Sequence, residues 1–166
     1  MVEALFTQLF SDFGLLGLFI AAIIGNASVF LPTPIDFIVL AAGAIAPGFW
    51  YALAIGIVGG TGAAIGEMTA YILGLLGVSA AERAKHHEFE KMKEVRRRLA
   101  KSGMVFIALA SLTPFPFDLV GIAAGIIKYP PKKFFIAALA GKLVRYVLIA
   151  LAGFYGWGII GTLFFI

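Results

Sequence analysis

The sequence predicts an all-α integral membrane protein. It reads as an inverted repeat of two re-entrant helical hairpins, each followed by a long transmembrane helix, linked by a basic amphipathic helix. Three observations lead there. The 166 residues are 61% hydrophobic and 13% charged, with a mean hydropathy of +1.01, far from the composition of a soluble domain. Two stretches, "LPTPIDFIVLAAG" at 31–43 and "TPFPFDLVGIAAG" at 113–125, repeat one pattern of breaks at an offset of 82, so that Pro32, Pro34, Asp36 and Gly43 fall on Pro114, Pro116, Asp118 and Gly125. Finally, eight of the thirteen basic residues lie between Glu82 and Lys101, and residues 1–82 hold none.

Residues 1–12 carry Glu3 and Asp12 but no Lys or Arg. They lack the basic start of a cleavable signal peptide and read as an N-terminal interfacial segment. The first repeat, 13–80, opens with an apolar leg over 13–31 that meets Pro32 and Pro34. Proline breaks a helix interior but suits its first turn, so "TPID" reads as a helix start: Thr33 as N-cap, Pro34 as first helical residue, Asp36 at the third position. A second short leg follows, then a long span over 48–77.

Residues 81–101 form the basic linker. Phe89, Met92, Val95 and Leu99 recur at helical spacing, which suggests an amphipathic helix on anionic inner-leaflet lipid, with a solvated linker helix as the equal alternative. His86 and His87 read as surface residues of that helix, because no third metal ligand is near. The second repeat, 102–166, has legs Gly103–Thr113 and Phe117–Ile127 of 11 residues each, which reach about 16 Å, half the hydrocarbon thickness. A span over 131–156 follows. Basic segments favour the cytoplasmic side, so 80–101 and the Lys128, Lys132, Lys133 turn face inward and both termini lie outside, which inverts the two repeats relative to each other. Trp50 and Trp157 fit interface anchors near span ends.

Five ionisable residues fall inside apolar segments: Asp36, Glu67, Asp118, Lys142 and Arg145. At roughly 2.5 to 3.5 kcal/mol each at the bilayer centre, they would cost about 12 to 17 kcal/mol if scattered toward lipid. A shared polar cavity is therefore expected. Gly60, Ala63, Ala64, Glu67, Tyr71 and Gly74 fall on one face of the first span, and Ala138, Gly141, Lys142, Arg145, Ala152 and Gly156 on one face of the second. Both half-helix N-termini would aim free N–H groups at the membrane centre, a ready anion site. Lys142 and Arg145, with Thr33 and Thr113 at the hairpin tips, are the substrate-binding candidates. Asp36, Glu67 and Asp118 are the proton-coupling candidates, since an anion is tolerated best when some carboxylates are protonated. The plainer alternatives are that Asp36 and Asp118 only cap helices and that Glu67 and Arg145 form a structural ion pair.

These residues resemble a known family. "PTPIDFIVLAAG", "GEMTAYILGLLG" and "SLTPFPFDLVGIAAGIIKYPPKKF" followed by "GKLVRY", in that order over about residues 13–156, look like the DedA family, also described as VTT-domain or SNARE-associated membrane proteins. The resemblance implies two inverted re-entrant hairpins with packed spans and a lipid-flipping or scrambling activity, including retrieval of polyprenyl-phosphate carriers, with proton coupling proposed for bacterial members. Asp36 and Glu67 match acidic positions of the first two motifs. Many members carry an arginine before the second proline pair, where "ALASLTPFP" offers Ser111; Lys142 and Arg145 are then the alternative source of positive charge. Such a short, divergent chain resembles the archaeal or broader VTT branch, for which a dolichyl-type phosphate is a fitting carrier.

The expected function is thus a transporter of a phosphate-headed membrane lipid in the cell membrane. The alternatives are a proton-coupled carrier of a small soluble solute and a membrane-organising protein. No serine, histidine and acid come together as a hydrolytic site, so an enzyme is not expected. Neither is a cofactor, a metal or a nucleic-acid partner, and the absence of cysteine removes disulfides and thiolate metal sites. A homo-oligomer is compatible with the sequence.

Overall fold

A computed structural model describes residues 2–27, 35–82, 103–113 and 117–164, with side chains over 12–27, 35–77, 103–113 and 117–156. Pro32, Thr33, Pro34, Pro114, Pro116 and the linker over 83–101 lie outside the described residues, as does the side chain of Trp157. Every regular element among the described residues is helical: α1 (Val2–Ala27), α2 (Ile35–Ala44), α3 (Phe49–Gly66), α4 (Met68–Glu82), α5 (Gly103–Leu112), α6 (Phe117–Ile126) and α7 (Pro131–Phe164).

The chain punctuates these helices with local chemistry. Gly14 interrupts α1 at φ 57°, ψ −131°, a conformation closed to residues with a Cβ, so the leg beyond it turns away from the N-terminal piece. At the other end of the molecule, α6 closes in a Schellman motif. The Tyr129 N–H donates to the Ala124 carbonyl and the Lys128 N–H to that of Gly125, both at 2.9 Å, with Lys128 itself left-handed at φ 52°. Pro131 then opens α7, where its missing N–H costs nothing.

Two stretches, Phe49–Gly77 and Pro131–Gly156, are long and apolar enough to cross a membrane. The first joins α3 to α4 across a local break at Glu67, where the Tyr71 N–H reaches the Glu67 carbonyl only at 3.4 Å. The Thr69 hydroxyl lies 2.8 Å from the carbonyls of both Gly66 and Ala27, so its single proton serves the broken ladder and the end of α1 in turn. By contrast α2 and α6, at ten residues each, extend only about 15 Å.

Two apolar clusters organise the packing. One gathers Leu18, Val39, Ile55 and Ala63 around Tyr146 and Ala150 of α7; the other gathers Tyr71, Ile107, Phe117 and Tyr129 around Phe134 and Ala138, also of α7. The first span's small-residue face, Gly60 to Gly74, is buried as expected. The second span's is not buried throughout: Ala152 is exposed and a Cβ on Gly156 would meet nothing within 4 Å among the described residues, while Ala150 and Gly153 are buried instead. The face turns because α7 serves two clusters, one at each half. Outward positions carry Leu16, Phe37, Trp50, Val105, Leu119 and Leu148, each more than half exposed, as suits a hydrocarbon solvent rather than water.

Glycines set the closest approaches, and they do so crosswise. The leg α2 lies on α7, where a Cβ on Gly43 would strike the Ala150 carbonyl and one on Gly153 the Leu40 carbonyl. The leg α6 lies on α4, where Gly125 faces the Tyr71 carbonyl and Gly74 that of Ile122. Each short leg therefore packs on the span that belongs to the other half of the sequence. Gly125→Ala should lower stability by about 1 to 3 kcal/mol, the usual cost of overpacking. Gly77→Ala, whose added Cβ meets nothing within 4 Å among the described residues, should instead gain up to about 1 kcal/mol from helix propensity, and thermal unfolding in detergent compares the two.

Candidate functional site

The charged residues meet where the two apolar clusters adjoin. Arg145 lies about 21 Å along α7 from Pro131 at the helical rise, near the middle of its span. Within about one turn of this helix, Lys142, Arg145 and Tyr146 reach α1, the start of α2, the break between α3 and α4, the end of α5 and α6.

Lys142 points into the interior. Its Nζ lies 2.6 Å from Glu67 Oε1 and donates to Asn26 Oδ1 at 3.1 Å, and it sits 5.5 Å from the centre of the Phe117 ring. The two side chains of this pair are 5% and 4% exposed. Asn26 is fixed in turn, since its Nδ2 donates to the Ala22 carbonyl at 2.9 Å and lies 3.5 Å from the Tyr146 hydroxyl. Beneath the ammonium group an aromatic stack of Phe117, Phe134 and Tyr71 fills the core. The second carboxylate oxygen of Glu67 is buried with no hydrogen-bond partner among the described residues.

Arg145, one turn further on, reaches outward. Its Nη2 pairs with the Asp36 carboxylate at the start of α2, and its Nη1 donates to the Thr113 carbonyl at 2.6 Å, just past the end of α5. Here the side chains are 14% and 39% exposed. One guanidinium thus ties the tips of both short-helix pairs to α7. It also brings positive charge to the end of α5, the neighbourhood where the sequence offers only Ser111. That serine is buried, donates to the Ala108 carbonyl at 2.9 Å and packs against Gly141.

The pairing corrects one sequence expectation. Glu67 pairs with Lys142 and not with Arg145, because three residues along a helix shift both level and facing: Lys142 lies beside the break at Glu67, whereas Arg145 faces the start of α2 and the end of α5. Asp118, in the first turn of α6, makes no direct polar contact among the described residues. Thr113 contributes its carbonyl to Arg145, while its hydroxyl turns back to the Ala110 carbonyl at 2.8 Å. Asn26 was not singled out as a site residue. A lone amide in a fully apolar leg was the signal that marked it.

A helical membrane protein with internally paired charges at mid-span is the class these features define. The VTT domain model matches residues 33–155, which is 123 of the 166 residues, and the chain belongs to the VTT-domain, or DedA, family. The chain is also similar to an uncharacterized protein of Methanocaldococcus jannaschii, 31% identical over 62 residues that make up 37% of this chain and 39% of the relative's length. No solved structure matches.

The two ion pairs should respond differently to substitution. Lys142→Met strands a buried carboxylate and should cost about 3 to 5 kcal/mol, most of it recovered in Lys142→Met/Glu67→Gln. Asp36→Asn, at a partly exposed pair, should cost about 1 kcal/mol or less. Chemical unfolding in detergent across the double-mutant cycle measures both.

Proposed function

We propose that this protein moves the phosphate head of a membrane lipid, with a polyprenyl phosphate as the favoured carrier, through a polar path between two re-entrant hairpins while the tails stay in the bilayer. One observation carries the reading: the partly exposed Arg145 guanidinium binds Asp36 and the Thr113 carbonyl at the adjoining tips of the short helices. A phosphate presents the same acceptor chemistry as that carboxylate and can take both guanidinium nitrogens at once. For it to do so, Asp36 must leave. A proton on Asp36 removes its charge and its claim on Arg145 together, which links headgroup binding to proton uptake. The buried Glu67–Lys142 pair keeps the centre assembled while Arg145 changes partners. The reading assigns movement of a lipid and no covalent chemistry.

The crosswise glycine contacts support an inverted repeat. Gly43 and Gly125 lie 82 residues apart, as do Leu40 and Ile122, and their partners Gly74 and Gly153 lie 79 apart. Equivalent legs thus meet exchanged spans in the same way, about one helical turn off the 82-residue offset, the kind of relation expected of two units joined by a pseudo-twofold axis in the membrane plane. Ten-residue legs are too short to cross and suit hairpin arms. With the Lys128–Lys133 turn and the 83–101 linker inside, both termini lie outside.

In liposomes containing the purified protein, Arg145→Ala should slow a polyprenyl phosphate by roughly tenfold or more, the worth of a charge-assisted hydrogen bond, and a zwitterionic phospholipid far less. Equal slowing of both lipids would leave the arginine a structural role only. Asp36→Asn should still move the anionic lipid but without dependence on a pH gradient. Single cysteines at positions 5 and 163 should react with an impermeant reagent from outside and one at 88 from inside; labelling of the two termini on opposite sides would refute the inverted arrangement.

A further inference from the structure

The cleft between α5 and α6 is apolar and well formed. It holds about 390 Å³, within the size range of small-ligand sites, and is lined by Phe106, Ile107, Leu119, Val120, Ala123 and Tyr129. It runs from Gly103 and Tyr129 at the open end of the helix pair to Leu119, two residues past the start of α6. That length, eight helical steps from Leu119 to Ile127 just past the end of α6, is about 12 Å, close to the depth of one leaflet's hydrocarbon. The tip of the cleft adjoins the polar centre, and its base adjoins the basic turn.

The base of the cleft adjoins charge. Lys132 and Lys133 are both exposed in the first turn of α7, which holds no acidic residue. Two cations therefore stand beside a positive dipole end with no acid in that turn to balance them. The Tyr129 side chain is 1% exposed, and its hydroxyl has no acceptor among the described residues. Gly103 packs closely on that ring: a Cβ there would come within 3.0 to 3.4 Å of its end.

We infer that this cleft seats one acyl chain of an anionic glycerophospholipid of the inner leaflet. Its phosphate meets Lys132 and Lys133 beside the base of the cleft. Charge complementarity selects the occupant: a zwitterionic lipid would fill the apolar groove but bring its own cation to two lysines and a helix N-terminus. The inference rests on the reading above only in placing the turn at 127–130 at the membrane surface, and it does not require transport.

The test is native mass spectrometry of the full chain in detergent, offered dioleoyl phosphatidylglycerol and dioleoyl phosphatidylcholine in equal amounts. The wild type should retain one phosphatidylglycerol in preference to phosphatidylcholine. Ala123→Trp fills the cleft from an exposed position and should abolish that retention, with helical circular dichroism unchanged. Lys132→Glu/Lys133→Glu leaves the cleft open and should cut the preference by on the order of tenfold. Arg145→Ala, which the proposed transport needs, should retain phosphatidylglycerol as the wild type does, so a failure of transport and a failure of this site are told apart. Wild-type retention by Ala123→Trp, an unchanged preference in the lysine variant, or loss of retention in Arg145→Ala would each overturn the assignment.

Discussion

A charge taken into hydrocarbon must find its counter-charge inside the protein, and the Glu67–Lys142 pair is where this chain meets that requirement most strictly. Both side chains are almost wholly buried, at 4% and 5% exposure. Desolvation on this scale is offset only by close contact and further hydrogen bonds, here from the ammonium group to Asn26 Oδ1. Fixing Lys142 fixes the rotation of α7, and the rotation of α7 decides what Arg145 and Tyr146 can touch. The end of α1, the break between α3 and α4, the start of α2 and the end of α5 are thereby all referred to one turn of one helix.

That hub works only because the surrounding helices approach closely. Lipid tails are as apolar as leucine, so burial of apolar side chains gives helices in a bilayer little reason to associate, and dispersion between backbones in near contact takes over. Gly43, Gly74, Gly125 and Gly153 supply that contact, each standing against a backbone carbonyl of its neighbour. The same economy produces the asymmetry between the ion pairs. The helices packed around them bury Lys142 and Glu67, while Asp36 and Thr113 at the helix ends stay partly exposed. The sealed pair is suited to holding the fold and the open pair to meeting a ligand.

Much of this was legible in the sequence. Hydropathy marked the spans at Phe49–Gly77 and Pro131–Gly156, and Asp36 and Asp118 each fell in the first turn of a ten-residue helix, as the paired breaks implied. Ionisable residues in apolar runs marked the site, because their cost in lipid leaves few alternatives. Partner choice was not legible. The spacing of Lys142 and Arg145 placed them on one side of a helix but gave no axial level for Glu67, which depends on how α3 and α7 slide past each other. The exposed Ala152 escaped for a related reason: a single helical stripe assumes a single neighbour, whereas α7 changes neighbours halfway. Asn26 was visible as the chain's only asparagine, yet its role as a brace for Lys142 required knowing that the end of α1 lies beside α7.

The central claim is that Arg145 exchanges an internal carboxylate for a lipid phosphate while the buried pair stays intact. A structure determined by cryo-electron microscopy in nanodiscs containing a polyprenyl phosphate tests it most directly. The account predicts phosphate oxygens within about 3 Å of the Arg145 guanidinium, Asp36 released from it, and Lys142 still on Glu67. A lipid phosphate confined to the membrane surface in every resolved state, with Arg145 still bound to Asp36 and Thr113, would contradict it.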